Sequence, residues 1–316
     1  MWRLTTNGGN TNPDTWGISS GGNQVPTKLI SALASTPCTS AAASFTGSPP
    51  CNVGPITTAP ALTQDDTHNI WLFFGTGRFS AAGDKGNVDI QHFLGVKDCI
   101  VTGVCTNQTV ERNNLFNSSN VVTCSSCASG SNVSTTGSTS SFTIGFSAGG
   151  GNLVNNIQNM DGWFTTFNDP TAPLQTPPRP AMTLGERNLA SSTLIGGTVF
   201  FTTFIPSTDI CSGSGTGLLY AVYYLTGGPY TASAIGTAAS GSNTLVSKSL
   251  SLGQGLPSQM AIQIGAQGSG TSGTASSSGC AGRITGFIQS STGVLGQTCG
   301  SSAGSVWSRL ISWRDL

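Results

Sequence analysis

Apolar residues along the chain fall in short clusters, separated by long polar stretches rich in Gly, Ser, Thr and Asn. The clearest clusters are residues 2–6, 70–75, 91–97, 141–146, 197–205, 217–225, 261–265, 283–289 and 305–313. Each is rich in β-branched or aromatic side chains and is bounded by Gly, Pro, Asn or Ser, so each predicts a strand. No stretch sustains a 3.6-residue period over three turns, and residues 29–34 are the best candidate for a short helix. The expected fold class is all-β.

Two clusters read as neighbours in one sheet. Residues 197–205 lead through a Ser/Gly loop to residues 217–225, which run into Thr226, Gly227 and Gly228. Consecutive glycines supply the positive φ that tight hairpin turns need. Residues 284–289 run in a similar way into Ser291, Thr292 and Gly293. Antiparallel units with Gly-rich turns predict a partial or modified β-propeller, while so degenerate a repeat also permits a sandwich or a solenoid. Residues 8–22, 35–58, 105–139 and 265–279 read as long loops. The proline-rich run 169–180 reads as an extended linker.

Composition acts mainly by exclusion. Lys+Arg and Asp+Glu are 12 each, and charged residues are only 8% of the chain, against roughly 25% in ordinary soluble domains. No basic surface is available to neutralise a nucleic-acid backbone. No apolar run approaches the ~20 residues of a membrane-spanning helix. Met1, Trp2, Arg3 and Leu4 are followed at once by polar residues, so no secretory signal is legible at this start.

The cysteines nonetheless point to export. Cys38, Cys51, Cys99, Cys105, Cys124, Cys127, Cys211, Cys280 and Cys299 sit in Gly/Ser/Thr-rich surroundings, where crosslinks are more expected than buried thiols. Spacing allows the local closures Cys38 with Cys51, Cys99 with Cys105, Cys124 with Cys127 and Cys280 with Cys299, but it does not set connectivity. The count is odd, and Cys211 is the candidate for a free thiol or a bridge to another chain.

Few residues suggest catalysis or metal binding. Cys124-Ser-Ser-Cys127 has redox-dithiol spacing but lacks the following helix that would hold a thiolate, so a structural disulfide is expected. The only histidines, His68 and His92, are far apart, and no nucleophile elbow or zinc-protease helix is present. Glu111 and Glu186 are the only glutamates, and neither lies in an aromatic, cleft-like sequence context. No catalytic or metal-ligating residue is therefore assigned. The run Gly75-Thr76-Gly77-Arg78 lacks the lysine and helix of a phosphate loop. Its glycines predict a bulge or a close strand approach at a sheet centre, with Arg78 bonding carbonyls or pairing with Asp84. Residues 152–161 offer a single carboxylate and make a poor calcium cage. Asn107, Asn117 and Asn132 each begin an N-glycosylation tripeptide.

Several ordered motifs together resemble the carboxy-terminal region of PilY-family proteins, the type IV pilus tip-associated adhesins and biogenesis factors. They are Trp71-Leu-Phe-Phe-Gly-Thr-Gly-Arg-Phe79 with Asp84, Asp161-Gly-Trp163 with Leu184-Gly-Glu-Arg187, and residues 197–206 with Cys211. Gly217-Leu-Leu-Tyr-Ala221 and the ending Ile311-Ser-Trp-Arg-Asp-Leu316 complete the set. The resemblance implies a modified propeller above the minor pilins, acting in pilus extension and surface attachment, extracellular and without enzymatic activity. It also implies that the calcium loop of the family precedes this chain, so no cofactor is carried over. In this reading Trp2, Trp71, Trp163, Trp307 and Trp313 pack the blades. Trp2, Arg3, Leu4, Thr5 and Thr6 form an unpaired edge, and a second polypeptide, such as a separately encoded amino-terminal half, completes the ring. Recognition of a surface or host ligand is expected in residues 35–58 and 105–127, because binding groups are usually displayed on loops. The alternatives are a structural subunit of an extracellular filament or surface layer, and a quinoprotein-like propeller enzyme.

Overall fold

The computed structural model describes residues 1–4, 11–20, 22–31, 53–98, 109–127, 133–135, 141–142, 152–207, 215–264 and 284–300. Three larger sheets organise them. A front sheet has the order Ala61–Gln64, Ile70–Gly75, His92–Asp98, Gly162–Thr166 and Phe116–Asn117. It is antiparallel except where Gly162–Thr166 runs parallel to Phe116–Asn117. A central sheet has the order Arg187–Asn188, Thr198–Pro206, Gly215–Tyr223 and Ser249–Gln254, with Thr193–Ile195 also pairing to Thr198–Pro206. A third sheet runs Ser141–Phe142, Val133–Thr135, Val121–Ser126, Asn243–Val246 and Thr237–Ser240. A small meander, Ala261–Ile264, Ile284–Gln289 and Leu295–Gly300, stands beside the central sheet.

Side-chain alternation explains the layering. Trp71 and Phe73 enter one core while Leu72 and Phe74 enter another, as opposite faces of a strand require. Both faces of the front sheet are covered, which is why Ile70–Gly75 reads as a continuous apolar run rather than an alternating one. The central sheet repeats the arrangement. Val199, Phe201, Leu218 and Tyr220 face the shared core, and Phe200, Leu219 and Ala221 face a core built with Met260 and Ile288. An aromatic file crosses the shared core. Phe93 stacks on Phe201 at 3.8 Å between ring centroids, and Phe201 stacks on Tyr220 at 5.0 Å.

The all-β expectation matches this architecture, but the propeller does not. The sheets are open, ending in edge strands, and do not close into a ring. They stack through one shared core with a further core on the outer face of the front and of the central sheet. At the edge assigned to Trp2, Arg3 and Leu4, one side of Trp2–Arg3 is covered by antiparallel pairing with Thr27–Lys28 in a two-stranded sheet. Arg3 additionally forms a 2.5 Å ion pair with Asp98. Thr5 and Thr6 lie outside the described residues.

Three local expectations change as well. Leu29 and Ile30 are not helical; Ile30 bridges to Val110 and both side chains are buried. The stretch read as a loop between Cys105 and Thr139 contains the strands Phe116–Asn117, Val121–Ser126 and Val133–Thr135. The supposed linker beginning at Asp169 is anchored in the interior at its start, where Asp169, Thr171 and Ala172 are almost fully buried, while residues 173–174 and 176–178 are exposed. A helix the periodicity did not reveal spans Leu153–Gln158. Asn152 Oδ1 accepts from Val154 N–H at 2.9 Å and caps its start, and Lys97 Nζ donates to the carbonyls of Ile157 and Gln158 at its end.

Candidate functional site

The motifs that are far apart in the chain meet where the end of Ile70–Gly75 crosses Arg187–Asn188. A Cβ on Gly75 would stand 2.4 Å from the Asn188 side chain, and one on Gly77 would stand 2.5 Å from Arg187 Cβ. Gly77 also has φ of +145°. Only glycine allows so close an approach with that backbone. The Asn188 N–H donates to the Thr76 carbonyl at 3.0 Å, which joins the front sheet to the central one.

Arg187 locks this crossing. Its guanidinium is buried and donates to the carbonyls of Gly185 (2.8 Å), Arg78 (3.0 Å), Asp84 (2.6 Å) and Asn87 (2.9 Å). The five-donor fork of arginine suits several carbonyls at once. Arg78 in turn pairs with Asp84, whose carboxylate also accepts from the N–H groups of Ser80 and Ala81. The Arg78 hydrogen bond, with the two backbone donors, holds Asp84 down to about 2. The anticipated pairing of Arg78 with Asp84 and the close approach at Gly75 and Gly77 are thus both present.

Behind the clasp lies a polar interior. Asp169 accepts from Thr171 N–H and Oγ1, Gln175 Nε2, Ser249 N–H and Oγ, and Arg179 Nη2. Lys248 is fully buried and donates to the carbonyls of Ser118 and Ser119 and to Thr165 Oγ1. Burial pulls it down to about 7, against the attraction of Asp169. Glu186 accepts from Thr203 Oγ1 at 2.5 Å and is pushed up to about 7 by burial. That shift prevails over the opposing pull of Thr203, Tyr220 and Arg179. A narrow cleft, bordered by Ile90, Gln91, Phe167, Met182 and Leu184, leads to Glu186. Its free volume of about 10 Å³ suits one water molecule. The aromatic neighbours of Glu186 come from other strands, so its own sequence context did not disclose them.

This arrangement can hold a proton and a water, and it makes a pH prediction. Glu186 titrates near 4.5 when unfolded and at about 7 in the fold. Below 4.5 both states carry the proton. Through the window from 4.5 to 7 only the folded state does, so this group's contribution to stability is lost as pH rises. His92 acts in the opposite sense. Burial, then Arg112, hold it down to about 3, so stability rises with pH between about 3 and 6.5 on its account. Comparison of the parent with Glu186→Gln isolates the glutamate. The difference in unfolding free energy should change on the order of 2–3 kcal/mol between pH 4.5 and 7.5. Urea titrations at four pH values check this, and parallel curves for the two proteins would refute it.

The remaining anticipated residues are placed as follows. Trp71 and Trp163 are buried in the shared core, whereas Trp2 is 65% exposed with Lys28 Nζ 5.5 Å from its ring centroid, and so packs no blade. Trp307 and Trp313 lie outside the described residues. Cys124 and Cys127 form a disulfide with Cα atoms 5.6 Å apart. Cys38, Cys51, Cys99, Cys105, Cys211 and Cys280 lie outside the described residues, as does the side chain of Cys299. Among the described residues, no three His, Cys, Asp or Glu side chains gather as a metal site. No described helix is long and apolar enough to cross a membrane.

Comparisons with known proteins return no matching family model, no matching curated protein and no matching solved structure. They lend no support to a PilY identity, and the resemblance rests on the residues quoted for it.

Proposed function

We propose that the chain is a non-enzymatic, extracellular component of the type IV pilus tip that supports pilus extension and surface attachment. The observation that carries this reading is the convergence of the resembling motifs. Residues 71–79 with Asp84, residues 161–163 with 184–187, and the strands Thr198–Pro206 and Gly215–Tyr223 build one clasp and one aromatic core. The disulfide Cys124–Cys127 suits an oxidising compartment. The buried polar groups are engaged in holding elements together, which favours a scaffold over a reaction centre.

The test is recovery of the native chain from its own cells. Sheared pili, isolated through an epitope tag on this chain, should contain minor pilins by mass spectrometry. Confinement of the chain to the cell interior without pilins would overturn the reading.

A further inference from the structure

The narrow cleft above Glu186 is graded from water to core. Asp89 and Leu184 are exposed at its mouth, Ile90 and Met182 are half-buried along its walls, and Phe167 and Glu186 are buried at its base. Among the described residues, Asp89 and Glu186 are the only ionisable side chains that line it. Apolar walls thus run between two carboxyl groups.

The walls come from three chain segments, and each is tied to the next. Arg187 donates to the carbonyls of both Gly185 and Asn87, which joins residues 182–187 to the strip that carries Asp89 and Ile90. Asn168 bridges antiparallel to Met182, which joins Phe167 to the same segment. Gly185 has φ of +77°, and a Cβ there would stand 2.7 Å from the Asn87 carbonyl oxygen. The two walls therefore approach as closely as their backbones allow. At the base, Glu186 accepts from Thr203 Oγ1, and Gln91, a further lining residue, has a buried Oε1 without a hydrogen-bond partner. Buried acceptors of this kind call for a donor. The free space of about 10 Å³ is that of one water. A primary ammonium is of similar size and carries three donors and no acceptor.

We propose that this cleft binds a primary alkylammonium group, from a lysine side chain or a free amine, with the methylene stem against Ile90, Met182 and Leu184 and the ammonium on Glu186. Lysine stems commonly lie along apolar surface while the charged head reaches a polar group. The carboxyl is already desolvated by the fold and its walls are already joined, so binding adds little reorganisation. A guanidinium is a planar five-donor fork, too broad for a space of one water, so the cleft separates lysine from arginine. Tyr220 and the Asp169–Arg179 pair are the other ionisable groups around Glu186. Tyr220 lies opposite Ser249 across the central sheet, and Ser249 Oγ accepts from Arg179. Asp169 matches Arg179 at 3.3 Å, so the base carries no net positive charge against an incoming cation. Burial keeps Glu186 protonated up to about 7, and an ammonium beside it favours the ionised form. Binding therefore lowers the Glu186 titration midpoint, and affinity rises with pH as the carboxyl ionises.

The chain has two glutamates, Glu111 and Glu186, so carbon-13 labelling of glutamate carboxyls gives two NMR resonances whose pH titrations read the site directly. The probes added to the purified chain are n-butylamine, Nα-acetyl-lysine methylamide and n-butylguanidinium. The two amines should lower the Glu186 midpoint and bind about tenfold or more tightly than the guanidinium. A response to n-butylamine alone would support the site and assign it to free amines rather than to a partner's lysine. Glu186→Gln should abolish amine binding. Leu184→Lys, at an exposed position, sets a competing ammonium at the mouth and should weaken binding, which keeps the test informative if the glutamine variant fails to fold. A Glu186 midpoint unmoved by either amine, or n-butylguanidinium binding as tightly as the amines, would overturn the site and leave the cleft to water. The pilus assignment is tested separately by shearing, so either reading can fail without the other.

Discussion

Asp169→Ala should lower stability by about 3–5 kcal/mol, the range for removing one partner of a buried ionic network. The carboxylate is fully buried and accepts from Thr171, Gln175, Ser249 and Arg179. Without it, the Arg179 guanidinium, largely shielded from water, loses its 3.3 Å ion pair. The Ser249 N–H loses its acceptor at the edge of the central sheet. The segment 169–180 is then no longer tied to that edge. Asp169→Asn keeps one carbonyl acceptor but removes the charge, so a smaller loss is expected. Urea unfolding without reductant, which preserves the disulfide, measures both. An Asp169→Ala protein within 1 kcal/mol of the parent would show that these bonds are replaced by water at little cost.

Trp163→Ala should also cost about 3–5 kcal/mol, as for other buried Trp-to-Ala changes. Trp163 is 0% exposed and lies 6.1 Å from Phe73 and 6.3 Å from Phe93 between ring centroids. Two glycines, Gly95 and Gly227, are shaped around its indole, and an added Cβ at either would lie within 2.4 Å of it. The backbone on both sides cannot collapse readily into the space, so a cavity would remain. Trp163→Phe separates the two roles of the side chain. It keeps most of the packing but orphans the Tyr224 carbonyl, which costs on the order of 1–3 kcal/mol when such a group stays dry. Thermal unfolding of both variants gives the comparison. A Trp163→Ala protein as stable as the parent would place the ring outside the core.

Much of the strand content was legible because short apolar runs with sharp Gly and Ser borders encode strands locally. Residues 70–75, 91–97, 197–205, 217–225, 261–265 and 283–289 coincide with observed strands to within a few residues. The pairing of Thr198–Pro206 with Gly215–Tyr223 was legible too, since consecutive antiparallel strands joined by a short loop tend to be neighbours. The helix Leu153–Gln158 was not, because six residues make fewer than two turns and leave no period to detect. The run after Asp169 looked like a linker because prolines dominate it, yet one carboxylate with six donors ties its start to the interior and to the edge of the central sheet.

The order of apolar clusters, the low charge and the glycine pairs by themselves determined an all-β chain with close strand crossings. They did not separate the tryptophans that enter the core, Trp71 and Trp163, from Trp2, which is exposed. The tertiary structure alone decided that the sheets stay open rather than forming a ring, since closure depends on relative sheet angles that strand periodicity does not encode. It alone brought Glu186 beneath a cleft, Arg187 onto four carbonyls and the Tyr224 carbonyl onto the Trp163 indole. Each of those groupings joins residues far apart in the chain, and burial gives them their chemistry only once the sheets have stacked.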